Sequence, residues 1–162
     1  MIRVVDRMAD TIASVLRWLP LLMVLTTLAV VILRYAFETG AIALQELVMY
    51  LHGLLFLVAI PYGLKQGTHV RVDLIYSRLS FRQQRYINLI GHILFLVPVA
   101  VFVFHTSLPY VAASWRVLEG SQEVGGIPGV FLLKTLIPVF AALLTLQGIT
   151  EILRTYREIR EV

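Results

Sequence analysis

The chain has 162 residues, of which 59% are hydrophobic and only 15% charged, and its mean hydropathy is +0.83. So little polar surface cannot coat a soluble domain of this size, so its solvent is a lipid bilayer. The absence of cysteine excludes disulfides, thiolate nucleophiles, Cys-ligated zinc and iron–sulfur clusters, and the net charge of +4 is not a nucleic-acid signature because the basic residues flank apolar segments.

The opening stretch, "MIRVVDRMADTIASVLR", is charged and amphipathic and lacks an apolar core with a small-residue cleavage site, so the first span is expected to serve as its own signal. A hydrocarbon layer about 30 Å thick needs roughly 20 apolar helical residues. Four segments qualify: 18–37, 42–64, 84–109 and 130–153. The fold expected is all-α and polytopic: one membrane domain over residues 1–162, with four transmembrane helices and a short interfacial segment or helix on the cytoplasmic side. Pro20 falls in a first helical turn, where its missing N–H is harmless. Gly67 is placed to end the second helix. "SFRQ" reads as a capping box with Ser80 as N-cap and Gln83 reaching back, so the third helix is predicted to start at residue 81. Pro61, Pro98 and Pro138 lie within predicted spans and are expected to kink them. Gly125, Gly126, Pro128 and Gly129 interrupt the chain before the fourth span. Trp18, Tyr35, Tyr110 and Trp115 fall near span ends, as interfacial aromatics do.

Eleven of the fourteen Lys and Arg lie in the N-terminal tail, in the loop 65–83 with the start of the third span, or after the fourth span. Short loops rich in Lys and Arg stay in the cytoplasm. This places both termini and the 65–83 loop inside, and the 110–129 loop outside, in the periplasm of a bacterial cell.

Within the inner loop, "THVRVDL" alternates with period two, so His69, Arg71 and Asp73 share one side of an extended segment while Val70 and Val72 share the other. Asp73 is placed to cap a short interfacial helix, "LIYSRL". On charge alone the segment is an ordinary positive-inside loop.

The order of its residues says more. "VVILRYAF" closing the first span, the acidic residue opening the second in "LQELVMYL", "GTHVRVDLI" after it and "GGIPGVFLLKTLIPV" opening the fourth resemble the small membrane subunit of the tripartite ATP-independent periplasmic (TRAP) transporters, the DctQ-like family. The resemblance covers about residues 25–150. It implies a non-catalytic scaffold subunit of a sodium-coupled, binding-protein-dependent importer of an organic acid or similar small solute. The partners it implies are a large permease subunit that carries the sodium and substrate sites, a periplasmic solute-binding protein and membrane lipid, with no nucleic acid. The location it implies is the bacterial inner membrane, and it implies no cofactor.

Polar residues inside spans are functional candidates by default. Arg34 and Glu46, at the facing outer ends of the first two spans, either snorkel separately to water or form an ion pair that clasps the hairpin. His52, near the centre of the second span, is a candidate for hydrogen bonding to another helix or subunit. Gln147 on the fourth span is a candidate partner-facing group, and Lys134 reads as a snorkelling end charge. In the outer loop, Glu119 and Glu123 belong either to a solvated connector or to a docking surface for the binding protein. No catalytic set is present: paired carboxylates, a nucleophile with its base, a P-loop and a metal-spaced cluster are all missing from the sequence. The alternative reading is a membrane anchor of a redox enzyme, with b-type haem held by two of His52, His92 and His105. Against it, the rise of 1.5 Å per residue sets no two of these histidines level. No four-residue repeat of small side chains runs along any span, so a tight self-dimer is not expected.

Overall fold

A computed structural model describes residues 2–67, 76 and 78–160. Seven elements follow in chain order: α1 (Ile2–Leu16), α2 (Leu19–Ala36), α3 (Ile42–Gln66), α4 (Phe81–Gly91), a π-turn (His92–Leu96), α5 (Val97–Arg116) and α6 (Val130–Arg160). The third span is the continuous run from α4 through α5, and four helices are long and apolar enough to cross a membrane.

Local chemistry sets the boundaries. Pro20 sits in the first turn of α2; its ring excludes the carbonyl four residues back, which breaks the helix at Arg17 and Trp18 and sets α1 apart from α2. Gly67 adopts the left-handed conformation (φ 65°) and closes α3. Ser80 and Gln83 form the reciprocal capping box that starts α4 at Phe81. Pro98 stands just after the π-turn rather than within an uninterrupted helix. Val97 N–H bonds to His92 O, five residues back, and this wider turn accommodates the donor that Pro98 lacks.

The four spans stand in an open row in the order first, second, fourth, third. α2 packs on α3, α3 on α6, and α6 on α4 and α5. Few apolar side chains are buried among the described residues: Ala9, Leu16, Val58, Pro61, Ala100, Val111, Pro138 and Ala141. Large apolar side chains instead face outward along every span, as a bilayer permits. Where α6 crosses the third span, a Cβ on Gly148 would come within 2.5 Å of Leu96 Cδ2, so the close approach requires the glycine.

α1 was not expected as a separate element. Its apolar face (Val5, Ala9, Ile12) lies on Val58 and Pro61 of α3 and Leu143 of α6, around a cavity of about 30 Å³, room for little more than a water molecule. Its polar side joins an ionic network. Arg154 Nη2 bonds both Asp6 carboxylate oxygens at 3.0 and 2.8 Å, and its Nη1 meets Glu151 at 2.6 Å. Lys65 Nζ donates to Asp10 at 2.5 Å and to Asp6 O at 3.2 Å. Arg85 pairs with Glu158 at 2.9 Å. The N-terminal helix, the end of the second span, the start of the third and the end of the fourth therefore share one side of the membrane. Three of the basic residues there, Lys65, Arg85 and Arg154, are structural ties as well as topological signals.

Candidate functional site

At the membrane side opposite the termini, the ends of the second, third and fourth spans are joined by the loop 117–129, which two carboxylates hold. The first is Glu46, in the opening turn of α3. Ser121 Oγ donates to its Oε1, and Ile127 N–H donates to its Oε2 at 2.6 Å. A Cβ on Gly126 would collide with both the Ser121 hydroxyl and the Glu46 carboxylate, so only glycine lets the loop come this close. Tyr50, one turn along α3, buries its hydroxyl with no hydrogen-bond partner among the described residues. It lines an open hollow with Gln45, Glu46, Met49 and Glu123.

The second carboxylate is Glu119. The third span ends in a Schellman motif: Glu119 N–H donates to Ser114 O at 3.1 Å and Leu118 N–H to Trp115 O at 3.3 Å. This forces Leu118 to φ 45°, a conformation that costs a non-glycine residue roughly 1–2 kcal/mol. The turn brings the Glu119 side chain back over the helix end, where its Oε2 accepts from Ser114 Oγ at 2.6 Å and from Lys134 Nζ at 2.5 Å. The hydrogen bonds from Lys134 and then Ser114 hold the Glu119 carboxyl below the usual carboxylate range. Lys134 also lies over the Tyr110 ring, 4.3 Å from its centroid. Trp115 completes the corner, with Nε1 donating to Thr135 Oγ1 at 2.9 Å and its ring edge-on to Phe131.

These positions revise several expectations. The Arg34–Glu46 clasp is replaced: Glu46 is taken by Ser121 and Ile127, and Arg34 is exposed at the end of α2, with no ion pair among the described residues. The carboxylate turns to the loop because the loop offers it a hydroxyl and a backbone N–H on the side where α3 meets α6. Gln147 does not face a partner. It is 1% exposed and donates to Glu151 at 2.9 Å, inside the packing of α1, α3 and α6. Lys134 is paired rather than snorkelling alone. His52 is exposed on α3 and stacked on Phe56, and Glu123 is exposed at the rim of the hollow. His69, Arg71 and Asp73 lie outside the described residues, as does the helix that Asp73 was expected to cap apart from Tyr76, Arg78 and Leu79.

Sequence reasoning missed Ser121 and Ser114 as anchors of the loop, and Asp6, Asp10, Glu151 and Arg154 as a network. The one available signal was the set of acidic residues, Asp6, Asp10, Glu151 and Glu158 among them, on a side otherwise rich in Lys and Arg.

An open row of four apolar helices, stitched by ions at one end and by a carboxylate-held loop at the other, defines a multi-pass membrane protein. Over residues 23–158 the chain matches the model of the family described as tripartite ATP-independent periplasmic transporters, DctQ component, and it belongs to that family. No curated protein and no solved structure gives a match. Family membership decides between the two readings of the sequence: the chain is the small subunit of a TRAP transporter and not an enzyme or a redox anchor.

Proposed function

We propose that this chain is the non-catalytic scaffold of a sodium-coupled importer of an organic acid or similar small solute, acting as a single membrane domain beside a large permease subunit and a periplasmic solute-binding protein. The observation that carries this reading is the open row. Among the described residues each span packs chiefly on its neighbours in the row, which suits a part that widens and braces another body in the bilayer better than one that encloses a path for solute. The asymmetry of Lys and Arg supports a cytoplasmic location for both termini, with the carboxylate-held loop facing the periplasm. On that loop Glu119 is committed to Lys134 and Ser114, which leaves Glu123 as the acidic group free to meet the binding protein.

The test is reconstitution in vesicles under a sodium gradient. The chain alone should move no solute; together with the large subunit and binding protein it should give sodium-dependent uptake. Glu123→Lys should weaken binding-protein association while leaving the two membrane subunits together. Uptake by the isolated chain, or a reporter at either terminus found in the periplasm, would overturn the reading.

A further inference from the structure

The second span carries an exposed stripe that the chain itself leaves uncovered. Gln45, Met49, His52 and Phe56 are all exposed, with Met49 at 65% and Phe56 at 61%. Their spacing of four, three and four is that of a helix–helix seam. At about 100° per residue they fall within about 60° of arc. Val58, Pro61 and Lys65, which meet α1, lie on the opposite side of the same helix, and Glu46 and Gly53, which meet the outer loop and α6, lie to one flank.

His52 decides what covers the stripe. It stands ten residues into α3 from Ile42, roughly 15 Å into a hydrocarbon layer of about 30 Å. Its ring stacks on Phe56 but makes no hydrogen bond among the described residues. An imidazole has a donor and an acceptor even when neutral, and acyl chains satisfy neither. Side chains at this depth are too far from either interface to snorkel when they are as short as histidine. The cover must therefore be protein that offers a hydrogen-bonding group at mid-membrane depth.

We propose that the Gln45–Met49–His52–Phe56 face is the seam on which a transmembrane helix of the large permease subunit docks, presenting a hydrogen-bonding side chain level with His52. The inference rests on the scaffold reading above and adds the surface and the polar contact that fix its register. In a bilayer such contacts, with close packing, are what hold helices together, since burial of apolar surface from lipid gives no drive.

Because the chain has no cysteine, single cysteines report cleanly. Met49→Cys, coupled to a thiol-reactive benzophenone in membranes that co-express the large subunit, should yield a photo-adduct with that subunit. Val139→Cys, on the α6 surface that lies on the α1 side, should yield only lipid adducts. His52→Leu should lower the large subunit retained by the tagged chain about three- to tenfold, the range of one intramembrane hydrogen bond, and His52→Gln should restore it. An adduct of twice this chain's mass would identify a second copy as the occupant and overturn the proposal, as would lipid adducts alone at Met49. Unchanged retention in His52→Leu would overturn the role of the ring. If the wild-type chain retains no large subunit at all, it is the scaffold reading that fails.

Discussion

Glu119 shows how a single residue in the 117–129 loop of a membrane protein can be read for its pH response. Its carboxylate accepts from Lys134 and Ser114, and these contacts favour the ionised form and depress its pKa in the folded protein. A group of this kind contributes stability that is fully present above its unfolded pKa, about 4.3 for glutamate, and is lost as pH falls through the lower folded value. The corner it holds should thus be unchanged from neutral pH down to about pH 5 and open only in stronger acid. Trp115 reports on it directly, through its bond to Thr135 and its contact with Phe131. In a Trp18→Phe background, which leaves Trp115 as the sole tryptophan, emission should stay constant over that range and shift only below it. A transition centred near pH 6, within the range of histidine, would refute the assignment to Glu119.

The four spans were legible as elements because hydropathy and length decide them, and Gly67 and Ser80 mark their boundaries through chemistry that acts within a few residues. α1 escaped because Asp6, Asp10, Arg3 and Arg7 read as a charged tail until the acids find partners on other helices. Asp6 meets Arg154 at a separation of 148 residues, a pairing that no local pattern reveals. The Glu46 clasp failed for the same reason. Arg34 was the nearest cation in sequence, whereas the groups that take the carboxylate, Ser121 and Ile127, come from a loop 75 and 81 residues away. The ionic network around Arg154 makes a prediction of its own. Arg154→Ala leaves Asp6 without its partner and Glu151, 9% exposed, with only Gln147. Breaking one side of such a partly buried cluster should destabilise the chain by roughly 1–3 kcal/mol. The loss should appear as protease sensitivity in α1 while the 117–129 loop stays protected. Equal sensitivity at both ends would mean that the network does not act on α1 specifically.

At the scale of the whole molecule, an open row has a consequence for stability. A closed four-helix bundle buries one face of every helix, whereas here, among the described residues, α2 packs chiefly on α3 and lightly on α1, and Thr26 is its one buried residue. Within the bilayer, lipid replaces the missing neighbours at little cost to apolar side chains, but it gives no bond to His52. The chain in isolation is therefore expected to hold both ends of the row while its middle, at the exposed face of α3, has the fewest constraints. Amide exchange in detergent should show strong protection at α6 and at the C-terminal end of α3, and weak protection through α2. Addition of the large subunit should raise protection most along α3 around His52 and least along α1, which this chain already covers on its own. A rise confined to α1 would place the partner on the other side of the row, since α1 and the His52 stripe occupy opposite faces of the second span.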